Sequence, residues 1–128
     1  MSHLFKLNHI ALKVNDLEST IAFYEQLFSF KYDTEIEYPT FKAVFLKSLY
    51  EDNFKLELVV FNDKGNTTND STWDHICFET NDFDGFISSI SSSMYKQELN
   101  TTVNNLGNRS VIINGLNNER IQVLEKSR

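Results

Sequence analysis

The sequence lacks three features that would point to particular classes of protein. Cys77 is the single cysteine, so the chain can form no internal disulfide. The 18 acidic residues outnumber the 12 basic ones and give a net charge of −6, which argues against nucleic acid because phosphate-binding surfaces need clustered Lys and Arg. No apolar run approaches a membrane span, and the N-terminus lacks the apolar stretch of a signal peptide. We therefore expect a cytoplasmic protein that contacts neither nucleic acid nor membrane.

What the sequence does contain is the composition of an ordinary globular protein. Hydrophobic residues make up 41% of the chain and charged residues 23%. A chain of 128 residues is long enough to bury a sizeable core. We therefore interpret residues 1–128 as a single domain.

A short phrase occurs twice in the sequence. LNHIALKVNDL near the N-terminus recurs as WDHICFETNDF, so that His9 aligns with His75. At nearly the same offset, KLELV (residues 55–59) aligns with RIQVL (residues 120–124). Two blocks in the same order indicate an internal duplication. The first unit spans about residues 4–62 and the second about residues 73–126, with a linker at residues 62–72 between them.

Each unit shows the same order of local patterns, namely a strand, a helix and three strands. The dipeptide ND after the first strand offers a helix cap at Asp16 and again at Asp82. Apolar residues at helical spacing follow, and these are Leu17, Ile21, Tyr24 and Phe28, then Phe83, Phe86, Ile87, Ile90 and Met94. The strand-like runs are residues 30–37, 41–49, 54–61, 95–103, 109–114 and 120–125. The sequence therefore predicts an α+β fold, in which two tandem βαβββ units form a curved mixed sheet around a cup, with the helices outside.

Polar side chains on the first and last strands of each unit are out of phase with the apolar ones. Because side chains alternate along a strand, Glu57 lies on the face opposite Leu56 and Leu58. The same alternation separates His9, His75 and Gln122 from their apolar neighbours. If the two sheets curl toward each other, these polar side chains and Glu57 converge in the cup.

These residues resemble the vicinal oxygen chelate superfamily, which includes glyoxalase I, bleomycin-resistance proteins, extradiol dioxygenases, fosfomycin-resistance thiol transferases and methylmalonyl-CoA epimerase. The resemblance runs from about Leu7 to Glu125. The motifs that carry it are HIALKVNDLESTIAFYEQLF, KLELVVF, DHICFETNDFDGF and GLNNERIQVLE. The resemblance implies the tandem βαβββ fold, a small-molecule substrate or ligand, and a homodimer.

The resemblance also implies a metal site. In the metal-dependent members, the first and fourth strands of each unit supply one ligand each, and the matching residues here are His9, Glu57, His75 and Gln122. Gln122 departs from the pattern, because a glutamate is usual at this position and an amide carries no charge. Two imidazoles and a carboxylate suit one divalent transition metal, either Zn, Ni, Fe, Co or Mn. A degenerate site would hold no metal.

Two classes of function stay open under this resemblance. The first is a metal-dependent isomerase or lyase similar to glyoxalase I (lactoylglutathione lyase), with Glu57 as the catalytic base and a substrate with vicinal oxygens such as a thiol hemithioacetal. The second is a non-catalytic binding protein of the bleomycin-resistance kind, which Gln122 favours. A dioxygenase or thiol transferase is disfavoured, because the terminal-strand carboxylate of those enzymes is absent; an epimerase is also less favoured.

Three further residues are candidates for substrate contacts. Lys13 stands four residues after His9, where glyoxalase I has an arginine near its glutathione site. Phe61 replaces a polar residue expected to help hold glutathione, which suggests another thiol adduct or no thiol. Cys77 shares a strand face with His75, although a lone cysteine is more often a small core residue.

Overall fold

A computed structural model describes residues 8–50, 54–62, 75–104 and 106–126 of the chain. The chain divides into two compact units, and the boundary falls between residues 67 and 68. Within the described residues, each unit has one helix and one four-stranded mixed sheet, which confirms the predicted α+β fold of tandem βαβββ units. Apart from Asn62, the predicted linker lies outside the described residues, and the shared cup stays a prediction.

The first unit joins its first and last strands side by side. Its elements are β1 (His9–Lys13), α1 (Leu17–Phe28), β2 (Phe30–Glu37), β3 (Phe41–Ser48) and β4 (Lys55–Phe61). The strand order is β1-β4-β3-β2, with β1 parallel to β4 and the other pairs antiparallel. The chain leaves β1 through α1 and returns through the β2–β3 hairpin to β4. The repeated motif in β1 therefore lies beside the KLELVVF strand, β4.

The second unit repeats this arrangement. Its elements are β5 (Ile76–Thr80), α2 (Phe83–Ser91), β6 (Thr102–Val103), β7 (Arg109–Asn114) and β8 (Arg120–Glu125). The strand order is β5-β8-β7-β6, and β5 runs parallel to β8. The duplication seen in the sequence is thus a duplication of topology.

Both helices begin at the predicted aspartate caps. The backbone N–H of Ser19 donates to Asp16 Oδ2 at 2.9 Å, and that of Gly85 donates to Asp82 Oδ1 at 3.0 Å. A carboxylate at this position satisfies a backbone donor that the helix itself leaves without a partner. α1 ends where Ser29 adopts a left-handed conformation with φ of 59°. Among the described residues, no helix is long and apolar enough to cross a membrane.

In each unit most of the core lies on the helix face of the sheet, and the most buried large hydrophobic side chains there are at most 1% exposed. They are Phe23, Tyr24, Leu46, Leu56 and Leu58 in the first unit, and Ile90, Val111, Ile113, Ile121 and Val123 in the second. Because neighbours along a strand alternate, Leu56 and Leu58 in β4 leave Glu57 on the other face, as Ile121 and Val123 in β8 leave Gln122.

Arg109 holds the start of α2 against the sheet of the second unit. Its guanidinium donates to Asp84 Oδ1 and to Glu125 Oε2, at 2.8 Å each, and lies 4.8 Å above the centre of the Phe83 ring. The hydrogen bonds to Glu125 and then to Asp84 raise the pKa of Arg109 above its ordinary value, so the group stays charged. This contact lies on the helix side of the sheet, behind the face that carries Gln122.

The prediction that the second helix reaches Met94 is wrong. α2 ends at Ser91, and Met94 is 83% exposed. The Ser93 hydroxyl donates to the Ile90 carbonyl at 2.8 Å and accepts from the Tyr95 N–H at 3.0 Å. Serine side chains that bond to nearby backbone groups compete with the helical hydrogen bonds, and the serine-rich end of this helix shows that effect.

The predicted strand at residues 95–103 is also wrong over most of its length, because only Thr102–Val103 pairs with β7. Before it, the Gln97 side chain takes the place of a neighbouring strand. Its amide oxygen accepts from the Asn114 N–H at 2.9 Å, and its amide nitrogen donates to the Asn114 carbonyl at 3.3 Å. These bonds satisfy backbone groups of β7 that would otherwise need a strand partner.

The turn between β7 and β8 fixes where Gln122 lies. The Gly115 N–H donates to the Glu119 carbonyl at 2.9 Å, and the Glu119 carboxylate accepts from the Asn117 N–H at 2.8 Å. Asn118 has a φ of 64°, a conformation that asparagine tolerates better than most residues other than glycine. The turn thus sets the β7–β8 register, in which Ile112 pairs with Gln122.

Candidate functional site

The first unit brings His9 and Glu57 together. β1 and β4 pair in register so that Ala11 lies beside Glu57, and His9 stands two residues earlier on the same face. His9 Nε2 is 3.6 Å from Glu57 Oε1. The His9 side chain is 41% exposed and that of Glu57 is 15% exposed. The imidazole is therefore open to a ligand, and the carboxylate is partly shielded beneath it.

Two neighbours fix the His9 ring. Asn8 Oδ1 lies 2.8 Å from His9 Nδ1. A carboxamide oxygen only accepts hydrogen bonds, so this contact is a hydrogen bond when Nδ1 carries a proton, and the other ring nitrogen, Nε2, faces Glu57. Phe45 meets the ring edge to face, with the centroids 5.6 Å apart. Sequence analysis missed Asn8, although a polar side chain next to a candidate ligand is a usable signal.

The donor chemistry of His9 and Glu57 suits a divalent transition metal. Two ligand atoms at about 2.1 Å from one metal lie roughly 3.0–3.4 Å apart at octahedral or tetrahedral angles. The observed 3.6 Å therefore needs only a small adjustment. No three His, Cys, Asp or Glu side chains in the described ranges are grouped so that they could hold a metal ion. The pair alone supplies two donors, and a complete site needs further ligands.

The second unit repeats this register with different side chains. Cys77 pairs with Gln122 as Ala11 pairs with Glu57, and His75 again stands two residues earlier. Gln122 thus occupies the position equivalent to Glu57, with an uncharged amide in place of the carboxylate. The predicted ligands thus occupy equivalent positions in the two units, and their binding of a metal stays a prediction.

Cys77 is an exposed free thiol. Partial burial of its sulfur, and then the charge of Glu79, raise the pKa of Cys77 above its ordinary value. Its Sγ lies 3.7 Å from the Phe78 carbonyl oxygen. Because the thiolate is the reactive form, these surroundings favour a contact role over a catalytic one.

Lys13 and Phe61, both predicted to contact substrate, lie together. The Lys13 Nζ atom is 5.7 Å from the centre of the Phe61 ring. Alternation along the strands puts both residues on the face of His9 and Glu57, four residues further along β1 and β4. The structure therefore joins two of the three predicted substrate residues at the far end of this face.

A row of aromatic rings extends from Phe61 and was missed by sequence analysis. Phe41 pairs with Phe61 across β3 and β4, and their ring centroids are 5.5 Å apart. Tyr38 stacks on Phe41 with centroids 4.3 Å apart and an interplanar angle of 22°. Tyr38 is 43% exposed and Phe61 is 40% exposed. We call Tyr38, Phe41 and Phe61 the aromatic row.

Comparison with protein families gives one match that covers most of the chain. The sequence model of the glyoxalase/bleomycin resistance protein/dioxygenase superfamily matches residues 6–107. This range contains β1 to β6, with His9, Glu57 and His75, and ends before β8 and Gln122. No curated protein sequence is significantly similar to the chain.

Solved structures share the fold at low sequence identity. A glyoxylase/bleomycin resistance protein/dioxygenase domain from Frankia sp. EAN1pec aligns with a TM-score of 0.81 and 14% identity, covering 98% of this chain and 100% of that one. The fosfomycin resistance protein FosX of Listeria monocytogenes, complexed with Mn(II) and sulfate, aligns with a TM-score of 0.73 and 18% identity, covering 98% and 95%. The trypanothione-dependent glyoxalase I of Leishmania major aligns with a TM-score of 0.75 and 17% identity, covering 95% and 87%. At these identities the likeness concerns the fold alone.

Proposed function

Because the chain belongs to the glyoxalase/bleomycin resistance protein/dioxygenase superfamily, we propose that it is a glyoxalase-like, metal-dependent isomerase or lyase. Its substrate is a small molecule with two neighbouring oxygens. The observation that carries the proposal is the His9–Glu57 pair, in which an oriented imidazole and a partly shielded carboxylate stand 3.6 Å apart. The open face around this pair gives a substrate access to both groups.

His9, Glu57, His75 and Gln122 are the proposed ligands of one divalent transition metal, which is Zn, Ni, Fe, Co or Mn. The support is the repeated register, since each unit offers a histidine and an oxygen donor at equivalent positions. When bound, such a metal supplies Lewis-acid polarisation of the substrate oxygens. Asn8 contributes by holding His9 in the tautomer that leaves Nε2 available.

Glu57 is the proposed general base. Proton transfer next to a carbonyl needs a carboxylate within reach of the substrate carbon, and Glu57 carries one on the substrate-accessible face. Its 15% exposure limits competition from water for its oxygens. Gln122 cannot share this role, because an amide does not accept a proton at neutral pH. The two units are therefore unequal, and the chemistry belongs to the first.

A binding protein without catalysis is the second candidate, and two observations favour it. Gln122 replaces a charged ligand by a neutral one, which weakens any metal site. Phe61 is a 40% exposed ring at a position where glyoxalase I is expected to have a polar residue. In this alternative the same face sequesters a ligand, as in bleomycin-resistance proteins, and Glu57 performs no proton transfer.

A homodimer in the cytoplasm belongs to the same proposal. Strands β1 and β2 form the two edges of the first sheet, and Ile10 and Ile36 on them are 37% and 43% exposed. Exposed strand edges with apolar side chains are typical of surfaces that pair with another chain. Sedimentation velocity at micromolar protein tests this directly, and a monomer there would reject the dimer.

Metal titration followed by an activity assay tests the enzyme proposal. Protein without a His-tag is dialysed against chelator, titrated calorimetrically with Zn, Ni, Co and Mn, and assayed on a glutathione hemithioacetal and on thiol-free α-hydroxyketones. Glu57→Gln should lower turnover by about a hundredfold or more, as expected for loss of a general base. Glu37→Gln, an exposed glutamate of the same sheet, is the matched control and should retain activity.

The binding alternative has a distinct outcome in this experiment. If the wild type binds no metal, and Gln122→Glu does not create a metal site, the enzyme proposal is wrong. The face would then serve a metal-free binding protein.

A further inference from the structure

We propose that the first sheet carries a second subsite, in which the aromatic row and Lys13 together bind an aromatic group that bears a carboxylate. The inference rests on the proposed function, because the subsite lies on the face of the His9–Glu57 pair. It goes further by naming the substrate class as an aromatic carboxylate with vicinal oxygens at its other end. A peptide thiol such as glutathione does not fit this description.

The aromatic row offers ring surface that the fold does not use. The Phe41–Phe61 and Tyr38–Phe41 contacts hold the three rings in fixed positions. Tyr38 and Phe61 nevertheless remain 43% and 40% exposed. Rings that serve only the core are buried, as Phe23 and Tyr24 are at 1%. An exposed, ordered row can take a further ring in a stacked or edge-to-face contact at little cost in conformational entropy.

Lys13 supplies an ammonium group beside the row. Lys42 and Lys55 of the same sheet are bound to the carboxylates of Glu35 and Asp33, at 2.9 and 2.6 Å. Lys13 forms no ion pair with any residue in the described part of the chain, and its Nζ lies 5.7 Å from the centre of the Phe61 ring. An ammonium group held against a ring and without a carboxylate partner suits an anionic substituent on a stacked aromatic ligand.

The floor between the two ends of this face is apolar. Val59 lies there beside its register partner Ala43; both are buried, at 9% and 0% exposed, and neither side chain can form a hydrogen bond. Glu57 and Phe61 are four residues apart on β4, so the ends are separated by about 13 Å along the strand. Val59 and Ala43 offer the amide groups of a peptide no side-chain partner, whereas a short apolar spacer needs none.

Calorimetric titration of chelator-treated protein tests the subsite without any metal. The probes are 2-naphthoate, its neutral analogue 2-naphthalenemethanol, and glutathione. We expect naphthoate to bind about fivefold more tightly than the alcohol, the effect of one exposed ion pair. Glutathione should not displace naphthoate. Added salt should weaken naphthoate binding and leave the binding of the alcohol unchanged.

Three variants separate the contribution of the Lys13 charge from that of the Phe61 ring. Lys13→Met should abolish the preference for naphthoate over the alcohol, and Lys13→Arg should restore it. Phe61→Leu should weaken both probes by about three- to tenfold through loss of the aromatic contact. Lys96→Met, an exposed lysine after α2, is the matched control and should bind as the wild type does. Where Phe61→Leu does not fold, the Lys13 variants decide.

The subsite is rejected if naphthoate fails to bind at its solubility limit, if it binds no better than the alcohol, or if Lys13→Met keeps the preference. Tighter binding of glutathione than of naphthoate also rejects it. Metal titration of the same samples keeps the two proposals apart. Naphthoate binding without metal binding rejects the metal-dependent function and supports the subsite, and the reverse result rejects the subsite alone.

Discussion

Removing the side-chain amide of Asn8 should weaken metal binding indirectly. Asn8 contacts His9 Nδ1, the ring nitrogen that does not face Glu57, and so affects the metal only through the orientation of the ring. The Asn8→Ala change deletes the 2.8 Å hydrogen bond to Nδ1 and leaves both His9 and Glu57 in place. Loss of such a ligand-orienting partner typically costs ten- to a hundredfold in metal affinity. The His9 side chain is 41% exposed, so water can replace the lost acceptor. We therefore expect the lower end, about tenfold or about 1.4 kcal/mol.

Two measurements check this expectation. Calorimetric titration with Zn or Ni gives the affinity, and nitrogen-15 NMR of the imidazole in metal-free protein gives the tautomer directly. Asn8→Ala should lower the affinity and mix the two tautomers, whereas Asn8→Asp should tighten binding because a charged acceptor makes the imidazole a better donor. Asn100→Ala, at an exposed loop position of the second unit, is the control.

The reasoning fails if Asn8→Ala binds metal as the wild type does and shows the same single tautomer. It fails equally if Asn8→Asp weakens binding at alkaline pH, where the imidazolium does not compete, because a stronger acceptor at Nδ1 then favours the tautomer that frees Nε2. Either result would mean that the Asn8 contact does not orient the ring.

Three further predictions follow from the second unit. Gln122→Glu should tighten metal binding in calorimetry, because a second carboxylate adds charge where the amide has none. Cys77 should react with iodoacetamide more slowly than free cysteine at neutral pH, because its raised pKa leaves less thiolate. Glu79→Gln removes a negative charge and should move the dependence of this rate on pH to lower pH. An unchanged dependence would contradict the prediction. Arg109→Met should lower the urea concentration at the midpoint of unfolding, because it removes the contacts of the guanidinium with two carboxylates. Arg109→Lys should recover part of this stability. Wild-type stability in both variants would contradict the prediction.

Features decided by neighbours in sequence could be predicted. The caps at Asp16 and Asp82 depend on a carboxylate three residues before a backbone N–H, and both formed as expected. The burial of Leu56 and Leu58 follows from alternation along a strand, and so does the placement of Glu57 on the other face. The duplicated phrase added the long-range information that each histidine lies beside a parallel strand.

Features decided by partners distant in sequence could not be predicted. Gln97 replaces a strand partner because Asn114 lies beside it in space, and no local pattern records that. The aromatic row forms because a turn stacks Tyr38 on Phe41 and the β3–β4 register adds Phe61. The positions of the proposed ligands could therefore be derived from the sequence, whereas the contact of Asn8 with His9 and the aromatic row needed the structure.

The parallel pairing of first and last strands also bears on how the chain folds. His9 pairs with Lys55, and Ile76 with Ile121, so each pairing closes a loop of about 45 residues. Contacts of such high sequence separation form slowly, because the entropy of loop closure is lost before the contacts stabilise the chain. The β2–β3 and β7–β8 hairpins should form earlier, which makes β1, with His9, and β5, which follows His75, the last strands to assemble in their sheets. A nascent or truncated chain then has hairpins and helices before it has a site.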